Sequence, residues 1–257
     1  MPTIKIVDLK KNFGEKWITK GVNLEIPEKK MTVIIGRSGE GKSVLLKQVI
    51  GLIEPTSGHI YIDGMDITQM KEKQLDVVYK QFGYVFQFAA LLDSLTVFEN
   101  IGITLLENGH SEKEVMPIVQ EKLGMVHLEE DTLTKYPSEL SGGMRKRVGL
   151  ARTLVTQPQV ILYDEPTTGL DPITSRVIHE LMYDMQHRLS ITSVIISHDV
   201  EIFKYADYVA LLHDGQIKYF GDAKTIWESD NPYIYQFIRG LPEGPIQTEI
   251  AHSQENY

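Results

Sequence analysis

The sequence predicts an α/β fold around a largely parallel, buried sheet, and three observations carry that prediction. Short β-branched runs, TIKIVDL (3–9), MTVII (31–35), VILY (160–163) and TSVIIS (192–197), alternate with longer segments of helical period. The run MTVII leads through a glycine-rich loop, GRSGEGKS (36–43), straight into the apolar helical stretch VLLKQVIGL (44–52). The chain also has 257 residues, enough for one α/β body with a large core and an inserted subdomain.

The remaining elements follow from local pattern. EPTSGHIYIDGMDIT (54–68) sets turn residues around an alternating strand, which predicts a small antiparallel hairpin region ahead of the strand GYVF (83–86). From about residue 90 to 157 strand signals vanish and helical ones dominate, with Gly109 and Pro137 as breakers; a helical insert is expected there. Residues 173–189 place Ile173, Val177, Leu181, Met185 and Leu189 four apart, a face expected to pack on the sheet. Polar residues with Gly, Pro and Glu make 241–257 read as a loose tail on composition alone.

Charge and composition restrict function. Lys and Arg total 26 against 35 Asp and Glu, a formal charge of -9, so nucleic acid is a poor partner for the surface as a whole. The absence of cysteine excludes disulfides and thiolate metal sites and fits a reducing compartment. No apolar run approaches the ~18–20 residues that span a bilayer, and the amino end lacks a signal-type apolar region. A soluble cytosolic protein is expected, touching a membrane only through a partner.

Four constellations stand out. Gly36, Arg37, Ser38, Gly39, Glu40, Gly41, Lys42 and Ser43, with Val44 opening the helix, match G-x-x-x-x-G-K-[ST] between a strand and a helix. Backbone N–H groups of such a loop surround a β-phosphate, the lysine (Lys42) reaches the β/γ oxygens, and the hydroxyl (Ser43) ligates Mg²⁺. Glycine is needed where a Cβ would block approach to the phosphate. VILYDEP (160–166) ends an apolar strand in two like charges; Asp164 would hold Mg²⁺ through water and Glu165 polarise an attacking water. The bland alternative for this pair is a surface helix cap. His198 follows the strand TSVIIS, and Gln87 follows GYVF; parallel strand ends converge on a nucleotide crevice, although either residue alone reads as structural. Last, LSGGM (140–144) puts Ser141, Gly142, Gly143 and Met144 at the mouth of a basic helix, and none of the four is an ordinary way to fill a core.

In this order, with LSGGM ahead of the Asp-Glu strand, the motifs resemble the ATPase subunits of ABC transporters over residues 1 to about 240. The resemblance implies a P-loop NTPase fold with a RecA-like parallel-sheet core, an antiparallel β subdomain and a helical subdomain inserted at about 90–157. These make one ABC ATPase domain over 1–240, followed by a carboxy-terminal extension over 241–257. It implies ATP hydrolysis with ATP and Mg²⁺ as cofactors, and a head-to-tail homodimer in which Ser141, Gly142, Gly143 and Met144 complete the other copy's nucleotide site. By the same resemblance Phe13 stacks on adenine, with Trp17 as the alternative, and Gln87 senses Mg²⁺ and contacts a permease. Asp171 then belongs to the loop joining the two sites, and His198 is the switch histidine at the γ-phosphate. On local grounds Asp171 also reads as a helix N-cap with Pro172 at the first helical position.

Finer features narrow the resemblance. Met144 followed by RKR, FQFAALLDSLTVFENI (86–101), GLDPITS (169–175) and FIRGLPEGPI (237–246) are similar to the ATPases that energise MCE-type lipid transporters, the Mla phospholipid-trafficking systems of Gram-negative bacteria among them. This implies a peripheral place on the cytoplasmic face of the inner membrane, held there by a transmembrane permease. An MCE-domain protein and a small regulatory subunit are further implied partners, and the extension is implied to contact a partner subunit. Met144 also continues an apolar stripe with Val148, Ala151 and Val155, so packing competes with a role at the nucleotide. Two alternatives stay open: a transporter for another solute, such as an amino acid or lipoprotein, and a non-transport ABC ATPase of DNA repair or translation. The second predicts tandem cassettes, a long coiled coil or a basic surface.

Overall fold

The computed structural model describes residues 3–247. In chain order the elements are β1 (Ile4–Phe13), β2 (Lys16–Ile26), β3 (Met31–Ile35), α1 (Lys42–Val49), β4 (Ser57–Ile62), β5 (Met65–Asp66), α2 (Glu72–Tyr79), β6 (Phe82–Val85) and α3 (Val97–Glu107). They continue with α4 (Glu112–Met125), α5 (Gly142–Leu154), β7 (Val160–Asp164), α6 (Pro172–Leu189), β8 (Thr192–Ile196), β9 (Tyr208–His213), β10 (Gln216–Asp222) and α7 (Pro232–Arg239).

Two sheets form. The larger has the order β10-β9-β3-β8-β7-β6, with β10 antiparallel to β9 and every other neighbouring pair parallel. Both of its faces are covered, as a parallel sheet requires. Val33, Ile35, Ile161, Tyr163 and Ile195 point into a core shared with α3 to α6, while Ile34, Val160, Leu162, Val194 and Ile196 point into a second core shared with α1 and the smaller sheet.

The smaller sheet is antiparallel, in the order β2-β1-β4-β5, and contains the hairpin expected within 54–68. It also takes the run 3–9, which was expected to join the parallel strands. The reason is local: Phe13 pairs with Lys16 across a two-residue turn at Gly14, whose φ is 61°, and so short a connection can only join antiparallel strands.

The α6 helix corrects a second expectation. Its core face is Ile178, Leu181, Met182 and Met185, all nearly inaccessible, whereas Ile173 is 80% and Val177 41% exposed and Leu189 is also exposed. Residues four apart overshoot a turn of 3.6 by about 40° at each step, so a row of five drifts off any one face. Between β6 and β7 in the chain, α3, α4 and α5 occupy the stretch expected to be helical, with Gly109 in a left-handed turn between α3 and α4.

The carboxyl-terminal segment corrects a third. Gly240 (φ 62°) caps α7 in the left-handed region and reverses the chain, and Ile246 is buried with its backbone held by the Gln236 side chain. Residues 241–247 therefore fold back on the body; the rest of the expected tail, 248–257, lies outside the described residues.

Candidate nucleotide site

The loop 36–43 connects β3 to α1 at the carboxyl end of the parallel strands. Its glycines answer to the chain itself as well as to any ligand. At Gly36 a Cβ would come within 2.3 Å of the Leu212 carbonyl oxygen, and at Gly41 within 2.5 Å of Ile18 Cγ2, whereas at Gly39 it would meet nothing within 4 Å. Gly39 thus leaves open space over the loop, and its φ of 83° suits glycine.

Lys42, only 5% exposed, donates from Nζ to the carbonyl oxygens of Gly36 (2.8 Å) and Arg37 (2.9 Å), bracing the loop from within. Burial lowers its pKa, against the opposing pull of the nearby carboxylates Glu165, Glu40 and Asp164. Next to it Ser43 Oγ donates to Asp164 Oδ1 at 2.7 Å, and the Tyr84 hydroxyl donates to Asp164 Oδ2 at 2.9 Å. Burial first and the Asp164 charge second drive the Tyr84 phenol far above its ordinary range, so it stays a proton donor.

Asp164 ends β7, while Glu165 steps out of the strand into a left-handed conformation with φ 47°, its N–H bonded to the Ile196 carbonyl at 3.1 Å. A non-glycine residue there carries strain on the order of 1–3 kcal/mol. The turn delivers the carboxylate to three groups: Thr168 Oγ1 donates to its Oε2 at 2.8 Å, Gln87 Nε2 at 3.4 Å, and His198 Nδ1 stands 3.7 Å away. A cleft of about 390 Å³ is lined by Phe13, Ile18, Ser38, Gly39, Gly41, Lys42, Ser43, Val44, Gln87 and Glu165. Phe13 lines it and Trp17 does not. A larger cavity of about 710 Å³ beside α6 contains His198 and Thr168 but none of Lys42, Ser43 or Glu165, which gather in the smaller cleft.

Other expected residues lie elsewhere. Ser141, Gly142, Gly143, Met144 and Asp171 do not line the cleft. Ser141 caps α5, accepting from Met144 N at 3.2 Å; Asp171 caps α6, accepting from Ile173 N and Thr174 N at 3.0 Å each. The two caps adjoin: a Cβ on Gly143 would come within 2.6 Å of Thr174 Cγ2, and one on Gly142 within 3.3 Å of Leu170 Cδ2. Met144 packs against the larger core, below which Val148, Ala151 and Val155 are buried. Arg37 and Glu40 keep their backbones in the loop, but their side chains turn away, to Gln247 O and to His213 and Asp214 respectively.

Four residues escaped the sequence reading. Tyr84 and Thr168 reach the carboxylates, and Lys146 and Arg152 fasten α5 to the segment after β6. Lys146 Nζ donates to the Gln87 carbonyl, and Arg152 donates to the carbonyls of Ala89 and Ala90 at 2.7 Å each. The only advance signal was position: Thr168 stands three residues past Glu165, and the two cations sit in the basic run after LSGGM.

This donor set suits Mg²⁺. Ser43 and Asp164 offer adjacent hard oxygens, and no group of three or more His, Asp or Glu gathers into a metal cage among the described residues. That pattern fits an ion that keeps water and phosphate oxygens as its remaining ligands.

Comparison with known proteins places this geometry. The chain is 41% identical over 245 residues to the probable ribonucleotide transport ATP-binding protein mkl of Mycobacterium leprae, covering 95% of this chain and 70% of that one. It is 36% identical over 246 residues to the intermembrane phospholipid transport system ATP-binding protein MlaF of Haemophilus influenzae, covering 95% and 93%. Its fold superposes on the dimeric post-hydrolysis state of the ATP-binding cassette MJ0796 bound to ADP and Pi with a TM-score of 0.78 at 32% identity, over 86% of this chain and 98% of that one. Residues 19–168 match the family described as ABC transporter, a span that holds the phosphate loop, the LSGGM helix start and both strand-end carboxylates. On that match the chain belongs to the ABC transporter family, as an ATPase that works on ATP with Mg²⁺.

Proposed function

We propose that the chain is the ATP-hydrolysing subunit of a phospholipid-moving transporter of the MCE/Mla type. The observation that carries the lipid reading is the similarity to the phospholipid transport protein MlaF along nearly its whole length, 93% of it, together with Met144 and the GLPEGPI segment. In this reading Lys42 meets the β/γ oxygens of ATP, and Phe13 stacks on adenine. Ser43 and Asp164 would hold Mg²⁺, with Gln87 near them, and the ion would supply charge neutralisation to the phosphates. Glu165 is the general base, oriented by Thr168 and Gln87, and His198 faces the γ-phosphate.

Ser141, Gly142 and Gly143 are then the cradle offered to the nucleotide of a second copy, which accounts for their place away from the cleft of their own chain. The homodimer reading is supported by the dimeric state of the cassette MJ0796. Domain limits follow: a helical subdomain at about 90–157 within the cassette 1–240, and an extension from 241. A transmembrane permease docks where Phe86 and Phe88 stand exposed beside Gln87, Phe88 at 79%. No helix among the described residues is long and apolar enough to cross a membrane, so the permease supplies the membrane part. An MCE-domain protein and a small regulatory subunit are the further partners, and the chain itself sits on the cytoplasmic face of the inner membrane, held there by the permease.

A second reading, transport of another solute, is favoured by the 41% identity to the probable ribonucleotide transport protein. Isolation of the chain from membranes with its partners separates the two. A polytopic permease together with an MCE-domain protein is the expected result; a periplasmic solute-binding protein in their place overturns the lipid reading.

A further inference from the structure

The phosphate loop has positions that the phosphate does not need. Binding through loop N–H groups, Lys42 and Ser43 asks nothing of the side chains of Arg37 and Glu40, yet both are fastened to the carboxyl-terminal part of the chain. Glu40 accepts from His213 Nδ1 at 2.9 Å and from Asp214 N at 2.8 Å, in the turn between β9 and β10. Arg37, exposed on the loop's outer side, donates from Nη1 to the Gln247 carbonyl at 2.6 Å.

What holds Gln247 in place is a buried amide. Gln236 on α7 accepts on Oε1 from Ile246 N at 2.7 Å and donates from Nε2 to Ile246 O at 2.9 Å and Leu241 O at 3.2 Å. The side chain thus pairs with Ile246 as a neighbouring strand would, and it satisfies backbone groups that would otherwise be buried unpaired. Gly244 passes so close that a Cβ there would come within 2.4 Å of Gln236 Oε1. The segment 241–247 is therefore a strap of fixed path, anchored at Gln236 and ending on the loop. Its connection reaches Lys42: the same Arg37 that gives its guanidinium to the strap gives its carbonyl to Lys42 Nζ.

We propose that this strap clamps the phosphate loop, with Gln236 and Arg37 as positioning residues that set nucleotide affinity, so that whatever displaces the carboxyl-terminal segment loosens ATP binding. The proposal rests on the reading of 36–43 as the nucleotide loop, and failure of that reading shows separately, as no binding of ATP by the unmodified chain. It is independent of the solute transported.

The test compares the full chain with Arg37→Ala, Gln236→Leu and a chain ending at Gly244, each measured for MgATP KM, kcat and direct nucleotide Kd. Loss of one such contact is expected to weaken nucleotide affinity about 3- to 10-fold with kcat at saturating ATP within about twofold. Combining Arg37→Ala with the shortened chain is expected to add nothing to the loss of affinity, since the shortened chain already lacks the Gln247 carbonyl to which Arg37 donates. Arg37 is exposed, so its variant tests the clamp even where Gln236→Leu destabilises the fold. Arg37→Lys, which keeps a donor, is expected to recover most of the affinity in the full chain and none in the shortened one. An unchanged KM and Kd in the shortened chain, additive losses, or equal rescue by lysine in both chains overturns the proposal.

Discussion

Ser43 Oγ donates to Asp164 Oδ1 at 2.7 Å, joining the first turn of α1 to the end of β7 across 121 residues of sequence. The other carboxylate oxygen takes the Tyr84 hydroxyl, so the aspartate is aimed from both sides before any ion arrives. Tyr84→Phe removes a hydrogen bond to a charged group, a loss of about 1.5–3 kcal/mol. Thermal unfolding should show it as a lowered Tm, and ATPase assays as a raised Mg²⁺ requirement. An unchanged Mg²⁺ dependence would mean that the tyrosine does not aim Asp164.

Glu165→Gln should leave nucleotide binding intact and lower turnover about 10²–10⁴-fold, with a nucleotide-bound dimer accumulating on size exclusion. The amide keeps the shape of the group and its contact with Thr168 but cannot take a proton. Near-normal turnover in this variant would assign the base elsewhere.

Nucleotide affinity should fall as pH rises. Burial lowers the Lys42 pKa, and phosphate holds the ammonium form, so binding raises that pKa again. Between the two values each binding event takes up a proton, and affinity declines with increasing pH. Calorimetry from about pH 7 to about pH 10, in buffers of different ionisation enthalpy, reads both the decline and the proton uptake. A flat Kd over that range contradicts the assignment.

Gly143→Ala should destabilise by about 1–3 kcal/mol, because the new methyl lies 2.6 Å from Thr174 Cγ2. Thr174→Ser removes that carbon while keeping the hydroxyl that bonds Asp171 Oδ2 at 2.6 Å, and should restore most of the loss. Without rescue in the double variant, crowding is not the cause.

On α6, Met182→Ala should cost about 2–5 kcal/mol and Val177→Ala no more than about 0.5, since the first is in the core and the second is 41% exposed. Denaturant unfolding of the two variants decides the core face of this helix.

That helix also shows where legibility in the sequence stops. The loop 36–43 and the strand 160–164 were readable because each pattern is contiguous and each residue type answers a local demand. The face of α6 was not, because spacing by four matches a helix only over short stretches, and Ile173 and Val177 ended outside. The run 3–9 had strand chemistry but no mark of its partner; the turn at Gly14 decided that. Within the site, Tyr84 and Lys146 act through contacts spanning 80 and 59 residues, and no local signal specifies such pairs. The strap is a milder case: GLPEGPI looked polar and loose, and only Gln236 reveals that Ile246 has a buried place.

The cap on α5 has a consequence for what Ser141 can say to a neighbour. A hydroxyl has one proton and two lone pairs, so it can donate and accept at the same time. Here a lone pair is engaged by Met144 N–H, so the cap leaves the hydroxyl's donor unused. Phosphate oxygens only accept, so a serine whose cap uses a lone pair keeps the donor such a group would need. A group with a hydrogen of its own to give finds one of the two lone pairs already taken. The helix start thereby decides which half of the hydroxyl's bonding capacity is left over for anything that approaches it.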